Sequence, residues 1–119
     1  MDISEAGHVA CQCHVGAYAG KYVIVVDEDV DVSNLDQLLW AMLSRYDPAT
    51  SVDILRRMRS TPADPRLTPE QRKVRDFTNS RMVIDATRPY EWRDKFPKVN
   101  APSQEVVRKA REQFGYLLK

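Results

Sequence analysis

The chain has 119 residues, 43% hydrophobic and 29% charged, with a net charge of +1 and two cysteines. That supports one globular domain with a modest core. It excludes a helical membrane span, because no apolar run approaches the roughly 20 residues one needs. Cys11 and Cys13 are two positions apart and cannot staple distant segments, and the acidic start, Met1 to Glu5, has no apolar core of the kind a signal peptide carries. A reduced, cytoplasmic setting is the expectation.

Residues 3–15 are a weak helix candidate. Ile3, Ala6, Ala10 and His14 share a face, but Gly7 sits among them at about 1 kcal/mol relative to alanine. Gly16 and Gly20 bracket a loop. Residues 22–26 (YVIVV) are a continuous, largely β-branched run, which predicts a strand buried on both faces. Acids end it. Ser33 is the expected N-cap of the next helix, with Asp36 three positions on as a weak capping box. Leu35, Leu38, Leu39, Met42, Leu43 and Tyr46 fall on one face of a helix over 34–46, and Leu38, Leu39, Met42 and Leu43 are the expected core. Asp47-Pro48 stops it.

Val52, Ile54 and Leu55 predict a second strand within 51–57. A helix flanked by two strands predicts a βαβ unit with parallel strands and a right-handed crossover. Pro62, Pro65 and Pro69 exclude one regular element across 60–77. Thr68 as N-cap and Pro69 at the first helical position suit a short helix over 69–75; otherwise this is a long ordered loop. Residues 81–86 predict a third strand. Residues 89–102 hold Pro89, Pro97 and Pro102 with Tyr90, Trp92 and Phe96, an extended arm with one helical turn at most. Ser103 caps a final helix, 104–118, whose apolar face is Val106, Val107, Ala110, Phe114, Leu117 and Leu118; Gly115 weakens its last turn. The expected fold is α/β: a small mixed or parallel sheet of about three strands with a βαβ unit, flanking helices, and a proline-rich arm before the C-terminal helix.

No constellation of catalytic side chains stands out. Asp27-x-Asp29-x-Asp31 invites a metal, but a calcium loop needs glycine at its sixth position and glutamate at its twelfth, where Val32 and Leu38 stand. Acids before a helix start also suit its dipole. His8, Cys11, Cys13 and His14 are ligand types, yet no second pair lies elsewhere in the chain. The glycines form no phosphate-cradling pattern. Catalytic, cofactor-binding and metal residues are therefore all read as none. Charge is uneven, −6 over residues 1–50, +5 over 51–98 and +2 over 99–119, which allows assembly between complementary surfaces or scattered solvated charges. The near-neutral total and the lack of a binding motif argue against nucleic acid.

The run KYVIVVDEDVDVSNLDQLLWAMLSRYDP (21–48), followed by VDILRRMRSTPADPR (52–66), DFTNSR (76–81) and RPYEWRDKFP (88–97), resembles the C-terminal part of the UbiD family, over residues 8–118. The resemblance implies decarboxylases and carboxylases that use a prenylated flavin and act on aromatic or unsaturated carboxylic acids. It implies that prenylated FMN, with a divalent metal, belongs to an upstream domain and that this chain alone is inert. It further implies a homo-oligomer, with the flavin-binding domain of the same enzyme as partner, and no nucleic acid or membrane. Residues 1–20 are then a truncated linker, 21–88 the α/β core, 89–102 the arm and 103–119 the terminal helix. The expected interface is Tyr90, Trp92, Phe96, Phe114 and Leu118. The alternative is a stand-alone non-catalytic subunit that docks a partner through the basic 56–98 region.

Overall fold

The structure is a computed structural model that describes residues 3–13 and 20–117. In chain order it contains α1 (Ile3–Gln12), β1 (Tyr22–Val26), α2 (Leu35–Arg45), β2 (Val52–Arg59), α3 (Pro69–Lys73), β3 (Thr78–Ala86), a 3-10 turn (Tyr90–Lys95), α4 (Gln104–Phe114) and a 3-10 extension (Gly115–Leu117). The three strands form one mixed sheet in the order β1-β3-β2. β1 pairs with β3 in parallel, Tyr22 opposite Met82 through Val26 opposite Ala86. β2 pairs with β3 antiparallel, Val52 opposite Ile84 through Arg59 opposite Thr78.

The α/β class and the mixed sheet agree with the sequence reading, but the βαβ unit over 22–57 does not. β3 lies between β1 and β2, and β2 runs against them both. The physical reason is where α2 ends. Arg45, its last residue, is bonded to Asp27 and Asp29 in the turn leaving β1. The helix therefore returns the chain to the end of the sheet where β1 finished, and β2 sets off in the opposite direction. β2 and β3 also run further than predicted, because Met58-Arg59 and Thr78-Asn79 pair across the ladder. Antiparallel strands tolerate such polar stretches where one face meets water.

The core is small: Cys11, Val30, Ala41, Leu67, Val83, Ile84 and Ala86. β1 is half-buried from Val23 to Val26 rather than fully buried, with Tyr22 exposed. Its one neighbour among the described strands is β3. α1 lies across β1 and β3. Gly7 makes this possible: a Cβ there would overlap Val83 Cγ1 and sit 3.6 Å from Val25 Cγ2. The glycine that weakens the helix as a sequence is what brings it down onto the sheet.

Two caps were read correctly and one was not. Thr68 and Gln71 form a full capping box on α3, with Pro69 at its start, and the Ser103 hydroxyl accepts from Val106 N–H at 3.3 Å on α4. On α2 the N-cap is Asn34, whose side chain accepts from the amides of Asp36 and Gln37 at 3.1 and 3.2 Å. Ser33 is instead drawn into a turn, donating its amide and hydroxyl to Asp31 at 2.9 and 2.6 Å. Asparagine caps as well as serine, so the local turn decides.

The core expected on α2 is corrected. Leu38 and Met42 are half-buried, but Leu39 is 45% and Leu43 86% exposed; Ala41 and Arg45 take the buried positions. Helix α4 forms as predicted, yet none of its residues is buried. The radius of gyration is 19.4 Å, against about 13.5 Å for a compact domain of this length. The arm and α4 extend away from the sheet, along a longest dimension of 63 Å.

Replacing Gly7 by alanine gains about 1 kcal/mol of helix propensity but overpacks the contact with Val83, at about 1–3 kcal/mol. A net loss of stability is expected in urea unfolding, and Val83→Ala in the same chain is expected to recover part of it, a non-additivity of neighbours.

Candidate functional site

The most organised polar cluster lies at the carboxyl ends of β1 and β3. The strand run stops at Val26, and the turn after it presents Asp27, Glu28 and Asp29. Arg45 reaches this turn from α2 with a side chain only 2% exposed. One guanidinium nitrogen donates to Asp27 Oδ2 and Asp29 Oδ1, both at 2.8 Å, and the other to Asp29 Oδ2 at 2.7 Å. The Arg45 head also stacks over Trp40 at 5.1 Å, while its Nε finds no hydrogen-bond partner among the described residues. Arg88, just past β3, closes the cluster: its amide and Nε donate to Asp27 Oδ2 at 2.9 and 3.2 Å. The hydrogen bond from Arg45, more than its charge, holds the Asp29 carboxyl below the usual carboxylate range, and the same bond pushes Arg45 upward.

Beside this cluster runs a cleft of 740 Å³, walled by Arg45, Tyr46, Arg88, Tyr90, Trp92 and Phe96. Trp92 and Phe96 pack ring against ring at 5.0 Å, and Arg93 lies over Tyr90 at 5.3 Å. Asp47, Asp53, Asp85 and Glu91 line the same cleft, and both arginines are already paired with acids, so it offers no surplus positive charge to a carboxylate. Its character is aromatic and mixed-charge, which suits packing against protein.

The other sequence candidates do not converge on it. Asp27 and Asp29 face arginines, and Asp31 serves Ser33. Cys11 is buried, and burial raises its thiol above the ordinary value, which makes it a poor nucleophile. Cys13 is exposed and donates to Ala10 O at 3.1 Å. His8 Nε2 lies 2.6 Å from Asp53. His14 lies outside the described residues. No group of three or more potential metal ligands assembles among the described residues. Of the expected interface residues, Tyr90 is 76% and Trp92 47% exposed, Phe96 is half-buried and Phe114 is 51% exposed; Leu118 lies outside the described residues. Arg45 and Arg88 carry no role in the sequence reading. The signal for Arg45 was present: an arginine closing the helix that follows an acidic turn.

Residues 2–86 match the family described as the 3-octaprenyl-4-hydroxybenzoate carboxy-lyase C-terminal domain. The chain belongs to the UbiD family. The gallate decarboxylase of Lactiplantibacillus plantarum is 34% identical over 82 residues, 66% of this chain and 16% of that protein. The vanillic acid decarboxylase of Sedimentibacter hydroxybenzoicus, in its closed form, superposes with a TM-score of 0.69 at 29% identity, covering 98% of this chain and 24% of that one. A UbiD-class enzyme of Pelotomaculum thermopropionicum, solved with FMN, gives 0.59 at 25% identity over 76% of this chain and 19% of that one. The UbiD domain described here thus spans a quarter or less of these relatives.

Replacing Arg45 by leucine leaves Asp29 without its guanidinium and Asp27 with Arg88 alone, and a loss of about 3 kcal/mol is expected, at the lower end for a broken buried pair because Asp29 keeps contact with water. Asp29→Asn is expected to cost less, about 1 kcal/mol, for the same reason. Because the folded carboxyl is depressed, its stabilising effect is full above the unfolded value of about 3.9 and is lost as pH falls through the folded value. Urea titrations across acidic pH are expected to show wild type and Asp29→Asn converging only below about pH 4.

Proposed function

We propose that this chain is the assembly and site-closing C-terminal domain of a non-oxidative carboxy-lyase acting on an aromatic or unsaturated carboxylic acid. The observation that carries the reading is a family match over residues 2–86 in a domain that leaves so much apolar surface uncovered. Leu35, Leu39 and Leu43 form an outward ladder on α2, at 65%, 45% and 86% exposure. Val106, Phe114 and Leu117 are exposed on α4 and its extension. Surfaces of this kind mark protein contacts, and relatives about four times the length of this chain supply the protein to cover them.

The described residues do not suit a flavin site. They hold no glycine-rich phosphate loop and no clustered metal ligands, and the cleft beside Arg45 has its cations already paired. Prenylated FMN and its divalent metal are therefore assigned to the rest of the enzyme. In this reading residues 1–20 link to that part, 21–88 are the α/β core, and the arm (89–102) and terminal helix (103–119) reach a neighbour through Tyr90, Trp92, Phe96, Phe114 and Leu118. No described helix is long and apolar enough to cross a membrane. We place the enzyme in the cytoplasm, as a homo-oligomer.

Two measurements test this. The purified chain is expected to carry no flavin absorbance and to release no carbon dioxide from gallate or vanillate; stoichiometric flavin would overturn the assignment of the cofactor. In sedimentation the chain is expected to self-associate, and Trp92→Ala with Phe96→Ala, or Leu39→Gln with Leu43→Gln, is expected to shift it toward monomer. These surface changes are expected to alter stability by no more than about 0.5 kcal/mol each. A monomeric wild type whose variants unfold would show these side chains to be internal.

A further inference from the structure

At the opposite end of the sheet, where β1 and β3 begin, a second cleft of 650 Å³ collects positive charge. Lys21, Arg56, Arg57 and Arg66 line it, with one acid, Asp64. Asp64 is not available to balance them. Its side chain is 4% exposed, and it accepts from Lys21 Nζ at 2.9 Å, from the Arg66 amide at 2.9 Å and from Asn79 Nδ2 at 3.4 Å. The Arg66 amide and Lys21 hold it firmly in its charged form. Lys21 and Asp64 therefore cancel each other, and the guanidinium groups of Arg56, Arg57 and Arg66 have no acidic partner among the described residues.

Arg56 and Arg57 share this cleft for a specific backbone reason. Successive residues of a strand point to opposite faces. Here the β2–β3 register shifts between Leu55 and Met58, and Arg57 takes a φ of 56°, the left-handed region. That conformation disfavours a side chain with a Cβ. Glycine would hold the bulge at less cost, yet the residue is arginine, and two adjacent arginines line one cavity. Strain of this kind at a charged residue points toward a use for the charge.

We propose that this cleft binds a small phosphorylated anion. A phosphoryl group carries a charge of about −1.5 to −2 and three strong acceptor oxygens. It matches several guanidinium forks at once, where a single carboxylate leaves charge unbalanced. Neutral residues with donor groups complete the wall: Ser80, Gln71 and Thr68 line the same cleft. The proposal is independent of the decarboxylase reading, because the cleft lies at the amino ends of β1 and β3, away from Arg45 and the aromatic arm.

Calorimetric titration of the full chain with inorganic pyrophosphate, at ionic strength held constant with chloride, tests it. Saturable binding near one per chain is expected, with tricarballylate, a carboxylate of comparable charge, binding more weakly. Arg57→Gly is expected to lower pyrophosphate affinity about tenfold, one charge-assisted hydrogen bond's worth. It should leave the unfolding temperature unchanged or higher, because glycine accepts the backbone conformation. Arg56→Gln is expected to lose affinity similarly. Absent saturation, equal binding of tricarballylate, or wild-type affinity in Arg57→Gly would each overturn the proposal.

Discussion

Arg45 reaches back from the last turn of α2 to the acidic turn that leaves β1, and the topology of the sheet depends on that contact. A helix that ran the length of the sheet before releasing the chain would send β2 parallel to β1. With its last residue tied to Asp27 and Asp29, α2 hands the chain to β2 at the carboxyl end of β1, and the central position falls to β3. Arg88 binds the exit of β3 to the same carboxylate of Asp27. Two strand ends and one helix end thus meet at one aspartate. Such a cluster does not have to be a large net source of stability, because desolvating the charges offsets much of their attraction. What it provides is a single arrangement, since every other one leaves a buried guanidinium without its acids.

The parts legible in the sequence are those decided locally. The apolar runs at 22–26 and 81–86, the Thr68 and Ser103 caps and the proline stop at 47–48 all rest on neighbours within a few positions, and the structure has each in place. The parts that were not legible depend on long-range partners. The direction of β2 is set by an ion pair across 16 to 18 positions. Gly7 reads as a defect until Val83 is known to lie beneath it. The leucine ladder of α2 has the periodicity of a core face, and periodicity alone does not say whether the apolar partner is in the same chain. Arg56 and Arg57 read as a charged strand end, because a bulge has no composition signal as strong as that of a turn.

Membership of the UbiD family gives the uncovered ladder a physical context. A chain of this size has room for one modest core, and here seven apolar residues among those described are buried while many larger side chains lie outside. Packing against the rest of the enzyme, as proposed above, would account for that distribution. The two polar ends of the sheet divide differently: at the carboxyl end acids and arginines neutralise each other, whereas at the amino end arginine is in excess.

Helix α1 is held to all three strands at once. Gly7 seats it on Val25 and Val83, His8 reaches Asp53 on β2, and the carbonyl of Cys11 receives a hydrogen bond from the buried Arg81 of β3, which also holds Arg59 O on β2. A cylinder fixed at its middle and near its end cannot roll or slide without breaking one of these seats. Force applied to α1 therefore enters the sheet at three separate seats, and the helix acts as a handle rather than a spring.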